Sequence, residues 1–531
     1  MDPPCPDDVD TTTTLTRFGA SSGVGTTTRQ RRQPNRPVIP WKAVALAVFL
    51  GQFVWLVLVS MHLWQRFSLT SDYALFYQAW HLIAGGHLSP TSTLYRTNPF
   101  LQNHFELFIY PLALFEYVDP GGFVLLVLQD LATVAAELIA FFWIAELVRD
   151  HFGTGARAKE LVLGGALVVL AIDPWIWWSD AFDVHLEIFA ALFALLAARS
   201  LWNRRFVAGA IWAVLTLSCG TVESVALLGI GVGLVISGRR LWRPGLVLGA
   251  VTVAWVLVFD ALGFDKGSQL ATTYGYLATP APGAQVHALQ VALGALRHPR
   301  LVLDMVNQKR RDVWQALAGP GLFGVVSALG LPVAAVLIIP AVLNAQASVI
   351  QPEAAFQIFP VFLFVPVGCV LALTWLSRRS RPWRLAALAV GLAALVESVV
   401  LGVVWIPRST PYFVRTSAPA AAVLARALAA TPSDAEVIAS NGFIGRFAAR
   451  PSIYALEAPV GAGTVPVTAP VVEFVLSYRQ GLETTPLANT RAAIDQIEYR
   501  LGARQVIDSA GIHVLIWHPP PGVRRVTLPG L

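Results

Sequence analysis

Charge is what this chain has least of. Of its 531 residues 13% are charged and 55% hydrophobic, and the mean hydropathy is +0.60. Soluble domains carry about 25% charged residues, so a water-bathed globular surface cannot be built from this composition. A disordered chain needs low hydrophobicity and is excluded as well. Cysteine is almost missing: Cys5, Cys219 and Cys369 stand far apart, which implies neither a disulfide framework nor a cysteine metal site. The sequence also has no Gly-rich phosphate loop, no Cys/His zinc spacing and no nucleophile elbow, so soluble nucleotide chemistry is unsupported. Lys is scarce beside Arg and Ala is abundant, a composition that fits a GC-rich bacterial genome.

Aromatic side chains are plentiful, with 17 Trp, 28 Phe and 11 Tyr, and amphipathic rings settle at membrane–water boundaries. The formal net charge is +6. The basic residues fall in short clusters between apolar runs, which is how membrane topology is encoded and not how nucleic acid is bound. The reading is an all-α polytopic membrane protein.

Residues 1–40 are rich in Thr, Ser, Gly and Pro and finish with Arg29, Arg31, Arg32 and Arg36. They read as a disordered cytoplasmic tail. Ala43–Met61 is an uncharged run long enough to span a bilayer, and the arginines before it place the N-terminus inside. Four later clusters are Arg149/Arg157/Lys159, Arg199/Arg204/Arg205, Arg239/Arg240/Arg243 and Arg378/Arg379/Arg381/Arg384. Holding all four inside requires about eleven transmembrane helices across 41–406, with 315–344 crossing twice around Pro332. Loops 62–120 and 263–314 and the tail 407–531 then lie outside. Within the first loop, Tyr73–Ala84 and Glu106–Glu116 read as helices lying along the interface. The tail alternates in short pieces around Glu436–Ala439, Gln505–Ile507 and His513–Trp517, and reads as a small extracytoplasmic α/β cap. The protein is thus placed in a bacterial cytoplasmic membrane.

Ionisable residues at the outer edge of the membrane carry the chemistry. Asp72 opens a segment with Gln78, Trp80 and His81, followed by a Gly85-Gly86 break. An acid there serves equally as a helix cap or as a general base within reach of a lipid headgroup and an incoming hydroxyl. His104 and Glu106 sit at a loop–helix junction, where the His is either a surface residue or a partner for a donor phosphate. The densest cluster is Asp173 and Trp175-Ile176-Trp177-Trp178, then Asp180, Asp183, His185 and Glu187. Asp183 and His185 share one side of an extended segment and read as a pair that orients substrate. With Glu187 they also offer three ligands to a divalent metal, although no fourth is evident. Glu223 lies between two short apolar runs on the same side, and an acid at membrane depth usually faces a site. Glu137 and Glu397 lie deep in their spans and are expected to face the bundle interior beside polar partners. For a phosphate, Arg96, Lys309, Arg310, Arg311, Arg408 and Arg415 are available, of which Arg96 and Arg310 are taken as the leading candidates.

The run Ser71-Asp72-Tyr73-Ala74-Leu75-Phe76-Tyr77-Gln78-Ala79-Trp80, then Gly85-Gly86, His104-Phe105-Glu106, Pro111 and Leu126-Val127-Leu128-Gln129, resembles the domain-of-unknown-function 2079 family of multi-pass bacterial membrane proteins. Phe182–Glu187 is similar to that family's Asp-Phe-His segment, and the resemblance runs over about residues 45–520. Thr221-Val222-Glu223 stands where members carry Lys-Glu-Asp, and Phe356-Gln357 stands where they carry His-Tyr. The family in turn resembles the GT-C superfamily of membrane glycosyltransferases, which use polyprenyl-phosphate sugars and an acidic residue in the first outer loop. That resemblance implies a polyprenyl-phosphate-linked sugar as donor and an envelope glycan, lipid or protein as acceptor. It implies Asp72 as base, Glu223 in support, and Gln78, His104, Asp183 and His185 around the substrates. The competing readings are a carrier or flippase working through Glu137 and Glu397, and a non-catalytic assembly partner docking through its cap.

Overall fold

The computed structural model describes residues 39–531 except 95–97, 104, 152–154, 239, 263–266, 279–285, 346–349, 459–460 and 482–485. The expected N-terminal tail therefore lies outside the described residues, apart from Ile39 and Pro40.

Long apolar runs dictate helices, because a chain in hydrocarbon must satisfy its own backbone groups. Six described helical stretches are long and apolar enough to cross a bilayer: Trp41–Gln65, Phe123–Asp150, Ala156–Ala181, Trp242–Phe259, Ala354–Ser377 and Arg381–Arg408. In chain order the main helices are α1 (Trp41–Gln65), α2 (Ser71–Ala84), α3 (Phe123–His151), α4 (Ala156–Ile172), α5 (Pro174–Ala181) and α6 (Leu186–Trp202). They continue with α7 (Phe206–Ser218), α8 (Thr221–Ile236), α9 (Trp242–Ala261), α10 (Arg310–Ala318), α11 (Gly330–Leu343), α12 (Phe359–Ser377) and α13 (Arg381–Phe413). This is the many-helix membrane architecture expected from the sequence, with two local differences. The expected helix Glu106–Glu116 is the five-residue helix Ile109–Ala113 followed by a 3-10 turn at Leu114–Tyr117. The stretch 315–344, expected to cross twice, is the end of α10, a 3-10 turn at Leu322–Val326 and the 14-residue α11. The turn instead presses Gly324 onto the α12 backbone at Val365, where any side chain would collide.

The centre of the bundle is α12, apolar all round and buried over Phe359–Gly368. A helix without a polar face belongs inside such a bundle. By contrast α1 leaves Leu46, Leu50, Val54 and Leu58 exposed as a surface for lipid. Two acids inside the bundle have hydrogen-bond donors: Gln52 donates to Glu137 Oε1 at 2.9 Å and Ser60 to Asp130 Oδ1 at 2.9 Å. Glu137 is completely buried, as expected, whereas Glu397 is half-buried.

The C-terminal region folds as a small sheet domain behind the helix α14 (Ala418–Ala430). Its strands are β1 (Glu436–Ser440), β2 (Ile453–Leu456), β3 (Ala462–Pro466), β4 (Val472–Leu476), β5 (Arg504–Ser509), β6 (Ile512–Trp517) and β7 (Arg525–Pro529). Five of them form a mixed sheet of order β2-β1-β4-β6-β5, and β3 pairs with β7 separately. β1 lies parallel to β2 and β4, with Ile438 opposite Phe474, and β6 runs antiparallel to β4, with Phe474 opposite Leu515. The three segments read as strands from the sequence are β1, β5 and β6.

This cap is bolted onto the chain between α1 and α2. Gly445 N donates to Leu69 O at 3.0 Å, and a Cβ at Gly445 would lie 2.6 Å from Leu69 and 2.9 Å from Tyr73. The Arg446 guanidinium packs 4.1 Å over Phe67 and 4.6 Å over Trp64. On the far side, Thr93 Oγ1 donates to Ile453 O at 2.6 Å and accepts from Ile453 N at 2.9 Å, tying the first loop to the edge of the sheet. The interfacial helix α2 is therefore roofed, and Tyr73 to Trp80 are all buried.

Candidate functional site

The site grows from the turn before α2. Thr70 is extended and caps α2, its hydroxyl accepting from Asp72 N at 3.3 Å. A threonine oxygen facing the first amides of a helix satisfies donors that have no partner inside the helix. The same residue clamps Asp183: Thr70 N donates to Asp183 Oδ1 at 2.9 Å, and the Thr70 hydroxyl donates to Asp183 Oδ2. The Asp183 carboxylate is thus brought to the threonine whose hydroxyl also meets the backbone amide of Asp72. Asp72 is half-buried and Asp183 is 2% exposed.

Asp183 stands in a tight turn between α5 and α6 with φ +52, a left-handed backbone that a residue with a Cβ adopts only when its surroundings hold it there. Gln129 of α3 does the holding. Its Nε2 donates to Asp180 O at 2.9 Å and Asp183 O at 2.7 Å, while its Oε1 accepts from His185 N at 2.7 Å. One turn further along α3, Thr133 donates to Asp180 Oδ1 at 2.6 Å.

Electrostatically, burial pushes the Asp183 carboxyl up from its ordinary value, and the guanidinium of Arg415 is the largest influence pulling it back, followed by the Thr70 donors. The Arg415 guanidinium lies 5.2 Å over the Phe182 ring, and the Arg415 backbone N–H donates to Ser68 Oγ at 3.0 Å. His185 is 3% exposed, with Nδ1 3.8 Å from Glu187 Oε2. Its ring stacks on Phe356 at 3.4 Å and on Phe182 at 5.7 Å. The Phe356 that stands in place of the expected His is therefore an aromatic platform for His185.

A second group reaches the same turn from the cap. Ser71 N donates to Asn441 Oδ1 at 2.9 Å, and Ser71 Oγ donates to Glu457 Oε2 at 3.3 Å. Asn441 and Glu457 line a cavity of about 360 Å³, together with Thr93, Tyr454 and Thr464. Burial raises the Glu457 carboxyl, and the Ser71 hydroxyl lowers it again.

The other expected site residues fall as follows. Gln78 is buried as an internal tie: its Nε2 donates to Thr93 Oγ1 at 2.9 Å and to Pro451 O at 3.0 Å, and its Oε1 accepts from Thr93 N. Arg310 is exposed at the start of α10 and donates to Asn307 Oδ1 at 2.7 Å. Arg96 and His104 lie outside the described residues, as does the side chain of Glu223 in the first turn of α8. The backbone still links their surroundings. Phe108 N donates to Ser218 O at 2.8 Å, and the Phe108 ring meets Phe189 at 5.5 Å, in the first turn after His185. Among the described residues no trio of His, Cys, Asp or Glu is grouped to hold a metal ion, and both Asp183 oxygens are turned to Thr70.

The family described as predicted membrane protein, DUF2079, matches residues 62–490, which takes in α2, the Asp183 turn, the bundle from α3 onward and most of the cap. The chain belongs to this family. The match is somewhat narrower than the stretch over which the resemblance is read from the sequence. The curated proteins contain no match to this DUF2079 chain. Among solved structures it is similar to ArnT from Cupriavidus metallidurans in the apo state, at 12% identity and a TM-score of 0.46, over 90% of this chain and 97% of that one.

Thr70, Asn441 and Glu457 are the site residues that sequence reasoning missed, and it gives Gln129, named only as the end of the Leu126–Gln129 run, no role. Each acts across a separation of 50 residues or more, so no local spacing announces it. Arg415 has a signal, being one of six basic candidates, but nothing in the sequence ranks it above Arg96 or Arg310.

Proposed function

We propose that this protein transfers a sugar from a polyprenyl-phosphate donor to a hydroxyl of a cell-envelope acceptor, with inversion, at the face covered by the cap. The observation that carries the reading is the Thr70 clamp, which sets Asp72 and the Asp183–Arg415 pair at one edge of the bundle. The Asp72 carboxylate takes the acceptor proton as the hydroxyl oxygen forms its bond to the anomeric carbon. The bond from that carbon to the phosphate oxygen breaks, and the lipid phosphate leaves with the electron pair toward Arg415. Arg415 suits this role, since a guanidinium meets phosphate oxygens in a fork, and its backbone bond to Ser68 and its seat over Phe182 keep it in place. His185 and Glu223 support the substrates, and the cavity beside Glu457 receives the acceptor.

In this reading residues 1–40 are cytoplasmic, 41–406 form the membrane domain and 407–531 form the cap outside. The basic turns between α3 and α4, α6 and α7, α8 and α9, and α12 and α13 support that orientation, because alternation of the helices sets them opposite the cap.

The test is product formation in membranes or proteoliposomes supplied with polyprenyl-phosphate sugars. A general base is worth about 10²–10⁴ in rate, so Asp72→Asn is expected to lose that factor while retaining donor binding. Transfer by the Asn variant at the wild-type rate overturns the assignment. Donor movement across the bilayer without a glycosylated product supports the carrier reading instead.

A further inference from the structure

A second cavity lies away from the cap. It is a groove of about 730 Å³ between α4, α12 and α13, within the size range of small-molecule sites. Its walls are apolar, formed by residues such as Val162 and Gly165 of α4, Leu373 of α12, and Leu388 and Gly391 of α13. The polar lining is at one end, where Ser377, Arg381 and Arg384 meet.

Three observations say what fills it. The first is the medium. All three walls belong to membrane-crossing stretches, so the groove opens among hydrocarbon chains, and its apolar lining offers nothing to hold water. The second is the charge at its end. Arg381 and Arg384 stand at the start of α13, where Arg379 packs 4.4 Å over Trp375 and Trp383 is 52% exposed. Arginine mixed with outward tryptophan marks the headgroup level, and a guanidinium there matches a phosphate. From Arg381 to Leu395 the groove follows α13 for about 21 Å at 1.5 Å per residue. That exceeds the roughly 15 Å depth of one hydrocarbon leaflet.

The third observation is uneven packing along α13. Toward the cap the helix is fastened: Ser398 Oγ donates to Gly319 O at 2.5 Å, Gly402 lies against the Ile172 backbone, and Trp405 packs 5.2 Å from Trp178. Toward Arg381 it stands off. A Cβ on Gly391 would meet only Leu373, at 3.5 Å, and one on Gly165 only Leu395, at 3.8 Å. A helix half fastened and half separated by an apolar groove is completed by an apolar chain lying in the gap.

We propose that the groove binds an anionic glycerophospholipid of the leaflet remote from the cap, one acyl chain between α4, α12 and α13 and its phosphate on Arg381 and Arg384. This site is independent of the transfer reaction and lies at the other end of the membrane from Asp72. Occupied, it fixes α13, whose cap end leads directly to Arg415.

The experiment is quantitative lipid mass spectrometry of the full chain purified from bacterial membranes in mild detergent. The retained lipid is expected to be enriched in anionic glycerophospholipid over the bulk membrane. Arg381→Gln/Arg384→Gln abolishes that enrichment, Arg204→Gln/Arg205→Gln at another basic turn preserves it, and Gly391→Phe lowers the total lipid retained. Phosphatidylglycerol added to delipidated protein raises the thermal midpoint more than phosphatidylcholine does, and the difference disappears in the double Arg variant, so the idea stays testable if Gly391→Phe does not fold. Retained lipid of bulk composition, enrichment that survives loss of both arginines, or recovery of an isoprenyl phosphate in place of a glycerophospholipid each overturns the proposal.

Discussion

Two arginines act on carboxylates at opposite ends of the helix bundle, Arg199 in direct contact with Glu146 and Arg415 through its charge alone on Asp183. Remote from the cap, Arg199 of α6 meets Glu146 of α3 through Nε at 3.1 Å, and the two side chains are 24% and 29% exposed. Beneath the cap, Arg415 offsets the charge of Asp183, which is 2% exposed and also held by Thr70. The first pair fastens two helices in reach of solvent, where an ion pair contributes about 0–1 kcal/mol. The second holds a charge that cannot return to water without opening the cap junction. Burying a charge costs several kcal/mol unless it is compensated, so Asp183 depends on Arg415 and Thr70 far more than Glu146 depends on Arg199.

That contrast can be broken by experiment. Arg415→Gln leaves Asp183 buried without its guanidinium and is expected to destabilise the protein by on the order of 3 kcal/mol at neutral pH. Thermal unfolding in detergent should show the loss shrinking toward acid pH, where Asp183 takes up a proton, and Asp183→Asn in the same background should remove that pH dependence. A loss that does not vary with pH would break the assignment of Arg415 as counter-charge. Gln129→Leu removes three hydrogen bonds from the 180–185 turn. A cost of about 2–3 kcal/mol is expected, with activity falling further than stability because Asp183 shifts.

Glu457 sharpens the comparison through pH. Burial raises its carboxyl in the folded state, so the folded protein holds the proton more tightly than the unfolded chain. Its contribution to stability is then complete below the ordinary carboxylate value and is lost as pH rises through the folded value, by at most about 1.4 kcal/mol for each unit. Glu457→Gln should flatten that part of the stability profile. Smallest of all, Arg199→Gln should cost under about 1 kcal/mol; a loss matching that of Arg415→Gln would erase the difference between the two ends.

The contrast also explains what could be read from the sequence. The bundle was legible because hydrocarbon permits few structures, and three of the seven cap strands, β1, β5 and β6, were legible from alternation. Asp72, Asp183 and His185 were legible as acids and an imidazole beside interfacial aromatics. Gln78 carried the same local signal, yet its amide is spent on Thr93 and Pro451 O. Position in the sequence does not reveal which way a polar side chain is turned. Thr70 and Asn441 gave no signal at all, because a threonine before a helix and an asparagine after a strand are ordinary caps and turns. Their importance comes from partners 113 and 370 residues away. The stretch 315–344 was misjudged for a related reason: its apolar composition is satisfied by a turn buried against α12 as well as by a crossing.

Residues 70 and 71 are a seam between two bodies. The amide and hydroxyl of Thr70 are engaged by the bundle through Asp183, whereas those of Ser71 are engaged by the cap through Asn441 and Glu457. Asp72 follows directly, and its amide points back at the bundle-bound residue. Its backbone is therefore registered from the bundle side, and parting the Ser71 contacts alone would leave Gly445 on Leu69 and Thr93 on Ile453 to hold the cap down.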